Sequence, residues 1–422
     1  MEKVVIVTGA AGMTADISFR NSEQECKETN MKKHFIAAIT LSFVLCLAWV
    51  SWAAEKEPIK IGLPFSLTGV MAKLGNSQLN AVKQFFEEKG MEVAGRKIQL
   101  IIEDDEAKPD VGLTKTRRLV QFEKVDLIIG YIHTGVGYAV RDFLHESGVP
   151  TLGMFSGARH SRDLFSPTVF RVCPSMFQQA YEPAKWWFKR GYKKINWIGA
   201  DFAAPREAYQ GFKKGLEEMG GKIVQEQWPN MAAADYGPYL ANIKTGQADA
   251  LIATMWGADP IRFVNQWAGY GLKGRIPIIG FTTFVDEGVT LPAMGVNAEG
   301  ILSWYISCPQ TDIPENKRFV EGYKSRYKGL PGHFSYFAYI SAQAAYEAME
   351  KIEGKVEDRE KFLNALRKVA FITPMGGKAY FDEKQGMVYD FIFLEARKTD
   401  RECHLFEIGR IKDVKDPRDV FP

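Results

Sequence analysis

The sequence predicts an α/β protein made of two lobes, each built on a doubly wound parallel sheet. After Pro58, short apolar runs alternate with amphipathic helical segments, as in a parallel sheet that is covered by helices. The same alternation restarts at Ser175, and two successive units of about 120 residues indicate two lobes. From Gly300 onward there are too few predicted strands for a third domain. We therefore expect this last segment to be distributed between the lobes.

The first lobe is predicted to contain four strands, each a short apolar run bounded by turn residues. They are Ile59–Leu63, Lys97–Glu103, Asp126–Tyr131 and Val149–Phe155. A helix is expected to begin near Gln78 and to end at Gly90. Asp110 is expected to cap a second helix, and a third is expected around Val140 and Phe143.

The second lobe repeats this pattern. Its strands are predicted at Ile195–Gly199, Lys222–Gln227, Asp249–Ala253 and Ile276–Gly280. One helix carries Trp186 and Trp187, and another covers Ala208–Met219. Ligands of such folds bind beyond the carboxyl ends of the strands and in the cleft between lobes. Both lobes are therefore expected to contribute loops to one site.

Residues 31–53 have the pattern of a secretory signal peptide. A short basic start, Met31–His34, is followed by the uncharged apolar run Phe35–Val50 and by Ser51-Trp52-Ala53, which supplies small residues at positions −3 and −1 of a cleavage site. The apolar run is shorter than the roughly 20 residues of a membrane-spanning helix, although a retained anchor is the alternative. We expect the mature chain to begin near Ala54 and to work outside the cytoplasm.

Residues 1–30 precede this signal and are interpreted as the product of a start codon assigned too early. Val4–Thr14 imitates the strand and glycine turn of a dinucleotide-binding fold. That fold needs a complete strand–helix–strand unit, and no second strand follows here. We therefore expect the segment not to belong to the folded protein.

Composition argues against nucleic acid as a partner and gives little support to catalysis. The 54 Lys and Arg residues nearly balance the 51 Asp and Glu residues, so no strong electrostatic field attracts a polyanion. The six histidines are scattered, and no cofactor or metal is expected. Gly153–Gly157 reads G-x-x-S-G, one residue out of step with the nucleophile elbow of hydrolases. An enzyme is therefore not expected.

The cysteines permit at most one disulfide in the mature chain. Cys26 and Cys46 fall in segments expected to be removed, which leaves Cys173, Cys308 and Cys403. Buried free thiols are the favoured interpretation for all three. A bond between Cys173 and Cys308 stays open.

Several segments resemble the branched-chain amino-acid-type periplasmic binding proteins, the leucine-binding-protein-like ligand-capturing subunits of ABC importers. The resemblance covers residues 58–400 and depends on the order and spacing of its motifs rather than on a single signature. The motifs are Ile59–Gly69, Ile102–Pro109, Asp126–Gly130, Asp235–Met255 and Pro374–Phe393.

The resemblance implies a type I periplasmic binding fold with a three-crossover hinge. The crossovers would lie near Arg171–Ser175, Ser303–Cys308 and Thr373–Met375. Lobe one would comprise 54–173 and 306–374, and lobe two 174–305 and 375–422. The protein would be a monomer in the periplasm that delivers a small ligand to the membrane subunits of a permease.

Three loops of the first lobe follow predicted strands and carry hydroxyls and glycines: Gly75–Ser77, His133–Gly135 and Phe155–Gly157. The resemblance implies that Thr134, Ser156 and Gly157 hold the carboxylate of the ligand, with Phe155 contributing backbone. Hydroxyls, glycine backbone and N–H groups at a helix start suit an anion. The alternative is ordinary helix capping by the same residues.

The second lobe departs from the amino-acid-binding members of the family. Trp256 stands where family members commonly have an aromatic residue over the ligand. Phe202 lies in a loop that usually supplies a tyrosine. In the first lobe, Leu74 likewise stands where amino-acid binders often have a tyrosine. In those members, a glutamate near the position of Thr282 pairs with the ammonium group of the amino acid. A threonine cannot neutralise a buried cation. Asp286 could substitute if its loop bends inward, although a solvated carboxylate is favoured.

These departures predict a ligand with a carboxylate, an apolar or aromatic body and no α-ammonium group. Leu74, Phe155, Trp256 and Phe281 would stack on that body. Aromatic acids and short fatty acids fit, and a plain branched-chain amino acid fits less well. Tyr336 either faces the cleft or belongs to a buried helix stripe.

Hinge closure is the expected mechanism: lobe two rotates over a ligand bound to lobe one, and the closed form docks on the permease. A sensory receptor that uses the same fold to feed a signalling partner is the alternative.

Overall fold

The computed structural model describes residues 56–400 and 402–421. The upstream segment 1–30 and the signal peptide 31–53 lie outside the described residues.

Strands and helices alternate along most of the described chain. The strands are β1 (Ile59–Phe65), β2 (Glu92–Val93), β3 (Arg96–Asp104), β4 (Leu127–Gly130), β5 (Thr151–Gly153), β6 (Val169–Arg171), β7 (Lys194–Gly199), β8 (Lys222–Gln227), β9 (Ala250–Thr254), β10 (Ile278–Gly280), β11 (Leu302–Tyr305), β12 (Ala370–Ile372), β13 (Lys378–Phe381), β14 (Met387–Thr399) and β15 (Glu402–Val414). The α-helices are α1 (Ala72–Glu88), α2 (Pro109–Arg117), α3 (Thr134–Ser147), α4 (Met176–Lys189), α5 (Ala203–Glu218), α6 (Gly237–Ala241), α7 (Asp259–Gly269), α8 (Leu291–Met294), α9 (Pro314–Tyr327), α10 (His333–Lys351) and α11 (Arg359–Arg367).

Lobe one is built on a six-stranded sheet with the order β2-β3-β1-β4-β5-β6. All its pairings are parallel except that of β2 with β3. Of the seven residues of β1, all but Lys60 are buried, because helices cover both faces of a parallel sheet. The doubly wound parallel sheet predicted for this lobe is confirmed.

Lobe two is built on a nine-stranded mixed sheet with the order β12-β13-β14-β11-β10-β9-β7-β8, in which β15 also pairs with β14. The strands β8, β7, β9, β10 and β11 are parallel. The first four match predicted strands, whereas β11 overlaps the predicted crossover at 303–308. The long hairpin β14–β15 adds antiparallel strands that the sequence reading did not anticipate. The two residues between Thr399 and Glu402 are too few for a parallel crossover.

The segments predicted as crossovers contact one another. The Sγ atom of Cys173 lies 3.5 Å from the Oη atom of Tyr305, and the backbone N–H of Cys308 points to Sδ of Met375 at 3.4 Å. The chain passes from the sheet of lobe one to that of lobe two between β6 and β7. The lobe boundaries given above stay a prediction.

Cys173, Cys308 and Cys403 are all buried free thiols, as predicted. Burial raises the pKa of Cys173 to about 12 and that of Cys308 to about 11. Both groups are therefore neutral thiols at physiological pH, which makes them unreactive.

Helix α1 begins at Ala72, six residues before the predicted start, so Gly75 lies inside its first turn. A Cβ atom built on Gly75 would lie 2.0 Å from the carbonyl oxygen of Ser66. Only glycine lets the helix pack so closely on the loop that follows β1. Asp110 likewise lies in the first turn of α2 and not at its N-cap, which is Lys108.

Replacing Gly75 with alanine is expected to lower stability by about 2–3 kcal/mol, because the overlapping backbone must move. Thermal unfolding should show a melting temperature at least about 4 °C lower. The control is Gly269→Ala at the end of α7, where nothing lies within 4 Å of an added Cβ. An equal effect of the two changes would contradict the close-packing argument.

Candidate ligand-binding site

Thr134 and Gly157 lie side by side at the edge of lobe one where β4 and β5 end. Thr134 is the first residue of α3. A Cβ atom built on Gly157 would lie 2.8 Å from Cγ2 of Thr134 and 2.5 Å from Oη of Tyr138. The loop after β5 therefore needs glycine to approach the start of α3 this closely. The structure brings these two predicted residues together.

No side-chain hydrogen bond caps the start of α3, in contrast to the helix-capping alternative. Its N-cap residue is His133, which makes no side-chain capping hydrogen bond. The first N–H groups of a helix have no partner within the helix and favour a negative charge. Ser156 is half-buried beside this region, and its carbonyl accepts a hydrogen bond from the backbone N–H of Met176 at 3.2 Å.

The ring of Phe155 is part of the core of lobe one and not of a ligand-facing surface. Phe155 is 1% exposed, and its ring stacks on that of His160 with a centroid distance of 4.0 Å. Cβ atoms built on Gly137 and Gly153 would collide with the same ring. The expectation that this ring stacks on a ligand is therefore corrected. A backbone contribution from Phe155 stays a prediction.

Tyr138 is a candidate site residue that the sequence reading missed. It stands four residues after Thr134 and so lies on the same face of α3. Its Oη atom is buried and has no hydrogen-bond partner of good geometry among the described residues, although the backbone N–H of Arg159 lies towards it. Burial raises the pKa of Tyr138 to about 12. The phenol is therefore protonated and can donate a hydrogen bond at neutral pH.

A buried network of charges lies behind the loop that carries Gly157. An Nη2 atom of Arg171 lies 2.9 Å from Oδ2 of Asp416, and Nη2 of Arg162 lies 3.1 Å from Oδ1 of the same carboxylate. Ser161 donates to Asp416 at 2.7 Å. Two guanidinium groups share one carboxylate in this network, and the Glu207 carboxyl of α5 interacts electrostatically with both of them.

Two further titratable groups face this loop. Burial, and next the charge of Arg171, lower the pKa of His160 to about 3, so its ring is neutral. From lobe two, Glu207 on α5 lies within hydrogen-bonding reach of the backbone N–H of Ala158, and burial raises its pKa. Glu207 thus joins α5 to the loop of lobe one.

Three of the predicted aromatic residues form one cluster at the edge of lobe two. The rings of Phe202 and Trp256 are 5.7 Å apart, and those of Trp256 and Phe281 are 6.4 Å apart. Phe202 is 37% exposed and Phe281 is fully buried, while Trp256 is half-buried. We call Phe202, Trp256 and Phe281 the aromatic wall.

Thr282 adopts an unusual backbone conformation next to this wall. Its φ is 47°, a left-handed value that is strained for a β-branched residue. Its carbonyl oxygen accepts a hydrogen bond from Oγ of Ser303 at 3.0 Å. Its own hydroxyl is buried and has no protein partner in the described part of the chain. Strain of this kind is often found at functional sites.

The remaining predicted residues lie away from these surfaces or are already engaged. Leu74, in the first turn of α1, is buried in the core cluster. Tyr336 is fully buried, donates a hydrogen bond to Oδ1 of Asn316 at 2.6 Å and packs on Phe319. Tyr336 therefore belongs to the buried stripe of α10, which is the second of the two alternatives.

Asp286 is neither a surface carboxylate nor free to pair with a ligand. It is 1% exposed. Its oxygens accept hydrogen bonds from the backbone N–H groups of Gly288 at 2.9 Å and His333 at 2.8 Å. The second bond holds the start of α10, so the expectation of a solvated side chain is corrected.

The family model for periplasmic binding proteins matches residues 58–401. The chain belongs to that family. A curated relative, the Leu/Ile/Val-binding protein homolog 6 of Brucella melitensis, is 25% identical over 371 residues, which is 86% of this chain and 93% of the relative.

Solved structures of this family superpose on the chain over nearly their whole length. An ABC transporter substrate-binding protein from Sphaerobacter thermophilus has a TM-score of 0.82 at 33% identity, over 85% of this chain and 99% of that one. A solute-binding protein from Rhodopseudomonas palustris BisB5, in complex with 3,4-dihydroxybenzoic acid, has a TM-score of 0.80 at 28% identity, over 86% and 100%. Another from R. palustris, in complex with benzoate, has a TM-score of 0.76 at 25% identity, over 85% and 99%.

As a periplasmic binding protein, the chain belongs to a family of extracytoplasmic solute-binding components of importers. Within residues 56–400 and 402–421, no helix has the length and apolar character needed to cross a bilayer. The same ranges contain no group of three or more His, Cys, Asp or Glu side chains placed to hold a metal ion.

The Asp416 network makes a prediction about acid stability. Burial alone would raise the pKa of Asp416, but the charges of Arg171 and Arg162 hold it well below the ordinary value of 3.8. The contribution of ionised Asp416 to the stability of the folded state is therefore complete at neutral pH. It is lost as the pH falls below about 4, because the Asp416 carboxylate of the unfolded chain takes up a proton first. Asp416→Asn should cost about 3 kcal/mol at pH 7.

Chemical denaturation at pH 7, 5, 4 and 3.5 measures this cost, and the gap between wild type and variant should narrow at the two lowest values. The control is Asp163→Asn, which removes an exposed pair with Arg159 worth less than about 1 kcal/mol. A difference in unfolding free energy between wild type and Asp416→Asn that stays constant with pH would contradict the lowered pKa of Asp416.

Proposed function

We propose that this protein is the solute-binding subunit of an ABC importer and that it captures an aromatic carboxylate between its lobes. It delivers the ligand to a membrane permease and makes or breaks no covalent bond. One observation carries the proposal: an anion-favouring loop pair on lobe one is combined with the aromatic wall on lobe two, and Thr282 stands where an ammonium-binding carboxylate would be needed.

The carboxylate end of the ligand is assigned to lobe one. Thr134 and Tyr138 offer hydroxyl donors, and the start of α3 offers backbone N–H groups. Hydrogen bonds to a charged acceptor are about twice as strong as neutral ones. Gly157 keeps the space in front of these donors free of a side chain.

The ring of the ligand is assigned to Trp256 and Phe202 of the aromatic wall, while Phe281 is fully buried and packs against Trp256. Aromatic pairs in offset or edge-to-face contact contribute about 0.5–1.5 kcal/mol beyond the area that they bury. The ligands of the two R. palustris proteins are aromatic acids without an ammonium group, which supports the same class here. Asp286, the carboxylate nearest in sequence to Thr282, is engaged by backbone N–H groups, and Thr282 itself offers no charge to an ammonium group.

Closure of the lobes completes the mechanism. Lys73 on α1 donates a hydrogen bond through Nζ to the carbonyl oxygen of Val289 at 2.9 Å, which is a contact that closure would form. A ligand favours the closed form only through contacts that it makes there with both lobes. Micromolar affinity corresponds to about −8 kcal/mol. Export by the signal peptide, a periplasmic location and a monomeric state complete the proposal.

The mature protein, refolded to remove carried-over ligand, is expected to gain thermal stability with benzoate or hydroxybenzoates. Leucine should give a smaller shift, because Thr282 offers no charge to its ammonium group. Differential scanning fluorimetry and calorimetric titration measure both effects. A larger shift with leucine would contradict the argument from Thr282, and release of a chemically altered ligand would contradict a binding-only role.

Tyr138→Phe removes one hydroxyl without breaking a protein hydrogen bond of good geometry, so it should leave the melting temperature within about 1 °C and weaken binding of benzoate about tenfold. Thr134→Val and Trp256→Ala should weaken binding similarly through the anion and ring contacts. The control Tyr346→Phe, where α10 packs on Phe85 of α1, should bind normally. Full affinity in Tyr138→Phe would remove this residue from the site.

A further inference from the structure

Three threonine hydroxyls at the edge of lobe two lack hydrogen-bond partners. Thr254 is the last residue of β9, and Thr282 and Thr283 begin the short 3₁₀ turn that follows β10. Their Oγ1 atoms are all buried, and none has a partner among the residues that the structure describes. We call Thr254, Thr282 and Thr283 the threonine group.

The topology places this group beside the aromatic wall. Strands β9 and β10 are paired in parallel with Ala253 opposite Gly280, and the backbone N–H of Phe281 donates to the carbonyl oxygen of Ala253 at 2.8 Å. The turn that contains Thr282 packs against both β9 and β11. The three hydroxyls are therefore carried by the same strand ends as Trp256 and Phe281.

The protein does not satisfy these hydroxyls although it satisfies a neighbouring one. Thr290 donates through Oγ1 to the carbonyl oxygen of Phe284 at 3.0 Å and accepts from the backbone N–H of Asp286 at 2.9 Å. The carbonyl oxygens of Thr254 and Thr282 are already used by Ala200 and Ser303. Buried polar groups without partners are costly and rare. A partner from outside the chain explains three of them at one strand edge.

The chemistry of the group selects a hydroxyl as that partner. A threonine hydroxyl can donate one hydrogen bond and accept others, and so can a phenol. Threonine hydroxyls offer no charge for an ammonium group, and an unsubstituted ring would leave them unpaired. The substituent must lie at the end of the ligand that faces lobe two, opposite the carboxylate.

We infer that the threonine group binds a ring hydroxyl of the ligand, so that hydroxylated aromatic acids are preferred to unsubstituted ones. This inference depends on the proposed function, because it assumes that a carboxylate is held by lobe one. Two vicinal hydroxyls could each contact a member of the group. A site built to bond a hydroxyl disfavours an analogue that lacks it, since its own polar groups are then left unpaired.

Calorimetric titration of the ligand-free mature protein with benzoate, 4-hydroxybenzoate and 3,4-dihydroxybenzoate tests the inference. The hydroxylated acids should bind at least about tenfold more tightly than benzoate. In Thr254→Val and in Thr283→Val, the ratio of the affinity for 4-hydroxybenzoate to the affinity for benzoate should fall towards one. Thr282→Val should act in the same way. The matched control Thr245→Val, in a loop that precedes β9, should keep the wild-type ratio.

The outcomes separate this inference from the proposed function. Equal binding of benzoate and the hydroxylated acids overturns the threonine assignment and leaves the proposed function in place. A preference that survives in all three valine variants overturns it as well, because the hydroxyl must then bind elsewhere. Binding of none of the three acids by folded wild-type protein overturns the proposed function itself.

Discussion

The buried ion pair between Arg171 and Asp416 connects the parts of this protein on which its candidate site depends. Arg171 ends β6 in lobe one, and Asp416 follows β15 near the end of the chain. Beyond it, Phe421 stacks on Phe177 of α4 with a centroid distance of 4.1 Å, and its carbonyl accepts from Nε of Arg162. The C-terminal segment thus joins the anion-favouring loop of lobe one to the first helix of lobe two.

The requirement that a buried charge be paired also accounts for the other side of the site. The two adjacent carboxylates near the turn after β10 are both engaged. Backbone N–H groups bind Asp286, and the backbone N–H of Leu405 and the ring of His404 bind Glu287. Thr282 has no charge, so the surface beside it suits a neutral group. An anion at one end and a neutral polar group at the other follow from the same electrostatic rule.

Close backbone approach is the second constraint on the site. Gly75 and Gly157 stand where an added Cβ would overlap a neighbouring atom at 2.0 Å and 2.5 Å. Both lie at the edge where the strands of lobe one end. The loop after β5 can lie against the start of α3 only because Gly157 carries no side chain. The shape of the site is therefore set by backbone packing as much as by its polar groups.

The sequence by itself determined the alternating strands and helices, the two lobes and the lack of a glutamate at Thr282, because hydrophobic periodicity and motif order are properties of neighbours along the chain. It did not determine the direction of the Phe155 ring, the burial of Asp286 or the antiparallel hairpin β14–β15. The pairing of Arg171 with Asp416 joins residues 245 positions apart. Only the tertiary structure decides such contacts, because the packing of distant segments fixes which side chains meet.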